Sequence, residues 1–175
     1  MIKLVKEVDN ELMYWEAWKD GKTLTVHYGV VGDTGETEEV KLKLFEKAEK
    51  VMEKLAEEKL NEGYEVLDEE ELIEFVVQYP YEENEMEEAL DKRQIVEDLM
   101  NECLGWTGNG SSDGGDIGSG STNVFNYVID VEKALKTTID ELSNKKLLDN
   151  VKIAYLDEDE EYVSLYPEGT EFDII

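Results

Sequence analysis

From Glu11 to Trp18 the chain reads ELMYWEAW, large apolar and aromatic groups interleaved with acids in the manner of a strand. TLTVHY alternates more cleanly. It sets Leu24, Val26 and Tyr28 on one face and Thr23, Thr25 and His27 on the other, which assigns His27 to a polar surface. Asp20-Gly21 lies between these runs and reads as a hairpin turn. VGDTGE is a second turn, and VKLKL after it alternates again, with Val40, Leu42 and Leu44 inward and Lys41 and Lys43 outward. The period then becomes helical. Phe45, Ala48, Met52, Leu55 and Ala56 form a stripe, and Gly63 stands where a helix end favours positive φ. Residues 1–66 therefore predict a small antiparallel sheet with one helix.

Beyond the acidic stretch LDEEEL the pattern restarts. IEFVVQY reads as a strand closed by Pro80. A long helix follows from about Glu85, with Met86, Ala89, Leu90, Ile95, Leu99, Met100 and Cys103 at helical spacing. Next comes a glycine-rich stretch, then NVFNYVID as a strand, VEKALKTTIDEL as a helix, VKIAYL as a strand and EYVSLYP as a short edge strand. The order β-α-(Gly-rich)-β-α-β predicts a ferredoxin-like α+β sandwich. The expected fold class is α+β in two domains: residues 1–66, an acidic hinge at 67–71, and residues 72–175.

Charge sharpens this division. The net charge is −28, from 10 Lys+Arg against 16 Asp+Glu in residues 1–66 and 7 against 29 in the rest. Such a surface repels duplex DNA, RNA and anionic membranes. Cys103 is the single cysteine, which excludes an internal disulfide framework and fits a reducing cytosol, so a cytoplasmic protein is expected. No apolar run approaches the roughly 20 residues of a membrane span, and MIKLVKEVDN lacks the apolar region of a signal peptide.

The order strand, Asp-Gly turn, L-x-V-x-Y-G-x-x-G-x-x-G, alternating strand, helix and EKLNEGY resembles a WGR domain over roughly residues 8–66. Its most specific pieces are Gly29, Gly32 and Gly35 at that spacing, with Lys59, Gly63 and Tyr64 closing the unit. The resemblance implies a role like that of the WGR domains of poly(ADP-ribose) polymerases, which contact DNA ends, or of bacterial proteins labelled molybdate-metabolism regulators. The name-giving triplet is Tyr28-Gly29-Val30 here. Valine has neither the permanent charge nor the bidentate fork of arginine, so weak or absent nucleic-acid binding is expected. Lys47, Lys50 and Lys54 share a helical stripe, but Glu46 and Glu53 interleave with them and favour a solvated surface. The second half, through L-D-K-R, G-W-T-G-x-G and D-G-G-x-x-G-S-G, resembles a segment of uncharacterised bacterial proteins sometimes joined to WGR domains. No chemistry comes with that resemblance.

Seven of the thirteen glycines lie between Gly105 and Thr122. A phosphate-binding loop combines backbone N–H groups, a helix N-terminus and a lysine. Here no Lys or Arg occurs between Arg93 and Lys133, and a strand follows, so no nucleotide site is expected. Asp113 and Asp116 offer hard oxygens to a cation, yet their spacing is not that of an EF-hand. The favoured reading is structural: a bulge or wide hairpin with Asp113 in an Asx-turn and Gly114 and Gly115 at positive φ. The single histidine, His27, and Cys103 fall in different predicted domains, which disfavours a nucleophile–base pair or a zinc site.

The reading that results is a non-enzymatic module without a cofactor, bound to a protein partner and to no membrane. The alternative is a nucleic-acid-associated regulator. Aromatic groups are frequent at interfaces, and Tyr28, Gly29, Trp15, Trp18 and Trp106 are the candidate binding residues. Tyr14, Tyr79 and Tyr81 add to the same aromatic excess.

Overall fold

The computed structural model describes residues 1–174. Two five-stranded antiparallel sheets with three long helices give an α+β protein. The first sheet has the order β4-β3-β2-β1-β5. Its strands are β1 (Ile2–Val8), β2 (Glu11–Asp20), β3 (Thr23–Val30), β4 (Glu36–Lys41) and the short β5 (Glu65–Val66). The Asp20-Gly21 hairpin forms as expected, with Gly21 at φ +57°. β1 was not legible as a strand in MIKLVKEVDN, although it pairs with β2 along its whole length.

Helix α1 (Ala48–Asn61) packs Met52, Leu55 and Ala56 on Leu4, Trp15, Ala17 and Val26. Gly63 ends the unit at φ +92°, the left-handed conformation its position predicts. Two sequence expectations fail just before the helix. β4 stops at Lys41, and Leu44 and Phe45 do not turn inward but stand 85% and 95% exposed. The chain leaves the sheet through a turn in which the Glu46 N–H donates to the Lys43 carbonyl and the Lys43 N–H to the Glu46 carboxylate. Phe45 sits in that turn at φ +71°, outside the helical period that its spacing implied.

The second sheet runs β10-β9-β6-β8-β7. Its strands are β6 (Ile73–Pro80), β7 (Gly110–Gly118), β8 (Ser121–Val128), β9 (Lys152–Leu156) and β10 (Tyr162–Tyr166). Helix α2 (Met86–Trp106) connects β6 to β7 and α3 (Val131–Asn144) connects β8 to β9. The order β9-β6-β8-β7 with two crossover helices is the ferredoxin-like arrangement read from the sequence, and β10 extends it at one edge. Phe75, Val77 and Tyr79 of β6 form the core with Val96, Leu99, Met100, Cys103 and Leu104 of α2 and Ala134 and Leu142 of α3. The buried stripe of α2 is rotated from the expected one. Val96 and Leu104 are inside, while Met86, Leu90 and Ile95 are exposed, because the helix also turns toward β7.

The glycine-rich stretch is itself a strand. Gly110–Gly118 pairs with β8, and Asp113 is the extra residue of a bulge between Ser112 and Gly114. A two-residue turn, Ser119 at φ +50° and Gly120 at φ +86°, leads directly into β8. Gly114 has the expected positive φ, +106°, but Gly115 does not. Gly115 is needed for close approach instead, since a Cβ there would overlap the Asn123 carbonyl oxygen across the strand pair. The local side-chain bond also differs from the expected Asx-turn. Ser112 Oγ donates to the Phe125 carbonyl at 3.2 Å, beside the bulge.

The face of the second sheet away from the helices is crossed by the segment after β10. Gln78 Nε2 donates to the Asp173 carbonyl at 3.0 Å and Lys152 Nζ to the Glu171 carbonyl at 2.9 Å. Phe172 lies 5.4 Å from the Tyr162 ring. No helix among the described residues is long and apolar enough to cross a membrane.

Candidate functional site: a cleft between the two sheets

Only one face of the first sheet meets α1. The other face, carrying Tyr14, Glu16, Trp18, Thr25 and His27, meets the second half of the chain. His27 is 1% exposed there, which corrects its assignment to a solvated face. Alternation predicted a polar face, and the face is polar, but protein covers it. The imidazole is satisfied on both sides. Tyr14 Oη is 2.9 Å from Nε2, and Glu16 Oε1 is 2.8 Å from Nδ1. Lys3 Nζ reaches the other Glu16 oxygen at 3.3 Å and lies 5.7 Å from the Tyr14 ring. Burial pushes the Tyr14 phenol well above its ordinary pKa, and the charge on Glu16 pushes the same way. The hydroxyl therefore keeps its proton, and with a neutral imidazole it donates that proton to Nε2 while Nδ1–H donates to Glu16.

The glycines of the motif around Tyr28 serve this contact. A Cβ on Gly35 would overlap the Tyr14 hydroxyl and the Tyr28 carbonyl. Gly32, at φ +93°, lies under the Lys133 side chain, whose Nζ donates to the Val31 carbonyl at 2.8 Å. The Gly32 N–H donates to the Thr107 carbonyl at 2.8 Å. Gly108 follows at φ +60°, flat against the Tyr14 ring. The turn between β3 and β4 is thus clamped to the end of α2 and the start of α3.

Beside this clamp the sheets part into a cleft of about 820 Å³. Its first wall is Ile2, Lys3, Glu16, Trp18 and His27, and Leu67, Glu69 and Leu72 close one end. The opposite wall is Glu102, Gly105 and Trp106 of α2 with Tyr127 and Ile129. The two indoles meet the same imidazole edge-on, His27–Trp106 at 5.2 Å and His27–Trp18 at 6.3 Å between ring centroids. Trp106 is 44% exposed at the rim.

The sequence-predicted residues separate accordingly. Trp18 and Trp106, 88 positions apart in the chain, line one cleft. Trp15 is in the core of the first sheet at 3% exposure and presents no face to a partner. Tyr14 and Tyr79 are also core residues. Tyr28 is half-buried against the α1 side, and its hydroxyl donates to Glu38 at 2.7 Å and Glu36 at 3.2 Å. Those bonds, Glu38 first, push its pKa up to about 12. The aromatic of the motif is therefore surrounded by carboxylates. Gly29 lies behind it, where a Cβ would press on the Gly35 backbone and the Tyr14 hydroxyl. Asp116 accepts from Asn123 Nδ2 at 2.7 Å, Asp113 is the bulged residue, and no group of His, Cys, Asp or Glu among the described residues has metal-binding geometry. His27, Glu16 and Lys3 were missed as site residues. Their only signal was an acid and a histidine on the same register of a hairpin, Glu16 opposite His27.

Cys103 is 8% exposed, and burial, with Glu141 adding repulsion, pushes its thiol up to about 12. A thiol so held is a poor nucleophile. Iodoacetamide is expected to label Cys103 in the native protein far more slowly than in urea, which mass spectrometry of timed samples will read. Equal rates would mean that the core opens freely.

Residues 1–71 match the family model described as WGR domain, which places this family in the N-terminal portion of the chain. No curated protein and no solved structure matches the chain.

Proposed function

We propose that the protein is a non-enzymatic binding module whose partner is another protein, held in the cleft between the sheets. The observation that carries this reading is the cleft itself: two indoles at a rim that also holds Glu69 and Glu102. Aromatic anchors of this kind carry a large share of the energy at protein interfaces. The charge of −28 and the carboxylates around Tyr28 act against a polyanion at the family's motif.

A second reading has its own support. The WGR family is associated with nucleic acids and regulation, and Lys47, Lys50 and Lys54 line a groove of about 530 Å³ on α1 together with Phe45, Val51 and Leu55. Glu46 and Glu58 share that lining, so its surplus of positive charge is small, and it is where the nucleic-acid reading would be tested. Titration of a labelled blunt duplex at physiological salt separates the two readings. The expected result is weak binding that strengthens steeply as salt falls. Sub-micromolar binding at physiological salt, lost on replacing Lys50 and Lys54 with glutamate, would favour the nucleic-acid reading instead.

A further inference from the structure

The cleft has a chemical bias that narrows its partner. Trp106 and Glu102 are one turn apart on α2, so an indole face and a carboxylate look into the same space. Gly105 lies beside them, and a Cβ on it would meet nothing within 4 Å, so the wall is open between the two. Trp18 faces from β2, and Glu69 comes from the linker. Among the described residues neither Glu69 nor Glu102 takes part in an ion pair. Of the two cations in the lining, Lys3 is already committed to Glu16, and the α-ammonium of Met1 makes no ion pair with Glu69 or Glu102. The cleft therefore combines two indoles, apolar lining residues such as Ile2, Leu67 and Ile129, and two carboxylates, Glu69 and Glu102, outside any ion pair among the described residues.

An ammonium group over an indole is attracted by the ring quadrupole, and a nearby carboxylate adds to that attraction. Lys3 already shows the combination on the cleft wall, its ammonium held by a carboxylate beside an aromatic ring. We infer that the notch between Trp106, Glu102 and Trp18 receives the ammonium of a lysine side chain from a partner protein, with neighbouring apolar residues of that partner against Ile2, Leu67 and Ile129. This rests on the protein-binding reading above and specifies its recognition element. A phosphate or a carboxylate at the same place would be repelled by Glu69 and Glu102.

The test uses the full chain and two short capped peptides, each with a single lysine between leucines, one of them Nε-acetylated. Binding is followed by tryptophan fluorescence and checked by calorimetry. The lysine peptide is expected to bind roughly tenfold more tightly than its acetylated twin. Glu102→Gln should remove most of that difference. Trp106→Ala, which leaves the net charge unchanged and alters an exposed residue, should weaken the lysine peptide by a similar factor, so that attraction to a generally acidic surface is excluded as the cause. Equal binding of the two peptides would overturn the ammonium assignment and leave the protein-binding reading in place. Failure of both peptides to saturate the protein at millimolar concentration would overturn both. Circular dichroism of each variant confirms that the fold is retained.

Discussion

Gly108→Ala is expected to destabilise the protein by about 2–4 kcal/mol, the sum of a left-handed backbone penalty and an overpacked contact. Gly108 has φ +60°, and a Cβ there would lie within the van der Waals surface of the Tyr14 ring. Neither partner has room to retreat. Tyr14 is 0% exposed and its hydroxyl is held at His27 Nε2. The Gly108 backbone follows the Thr107 carbonyl that accepts from Gly32. Strain at this point therefore falls on the contact between the two sheets. Urea denaturation followed by tryptophan fluorescence measures it. Gly21→Ala is the control, since Gly21 has a similar φ, +57°, and open space around it. Its cost should be only the backbone penalty, about 1 kcal/mol. Equal losses at the two positions would show that the contact with Tyr14 contributes nothing.

Gly115→Ala is expected to cost about 2 kcal/mol, for a different reason. The backbone there has no positive φ, but an added Cβ would overlap the Asn123 carbonyl and approach Arg93 Nη1 to 3.0 Å. Asn123 is fixed in β8, an interior strand between β6 and β7, so the strand pair itself must shift. Gly118→Ala, in the same strand with nothing within 4 Å of the new methyl, should be nearly neutral. Thermal denaturation of the pair gives the comparison. The two apparent stabilities should respond to ATP and NAD no more than the parent does, because this segment is a strand without a cationic side chain. A nucleotide-dependent rise in stability that Gly115→Ala abolished would contradict the structural role assigned to it.

Short-range pattern determined much of this protein. Alternation in TLTVHY, the Asp-Gly turn, the helical spacing in α1 and α3 and the order of elements after Ile73 were sufficient for an α+β protein with a ferredoxin-like second half, because each depends on neighbours a few residues away. The same kind of pattern identified Gly29, Gly32 and Gly35 as a unit, though not what they make room for. Tertiary structure alone decided which polar faces are buried. Periodicity records a contrast between two faces of a strand, and β2 and β3 keep that contrast while protein covers both. His27 therefore reads as a surface residue and is instead buried against Glu16. Close approach likewise depends on distant chain. Gly108 is restricted by Tyr14 and Gly32 by Lys133, partners 94 and 101 positions away in the numbering. The cleft belongs to the same class, since Trp18 and Trp106 share no local pattern and meet only because the turn after β3 is clamped to the end of α2.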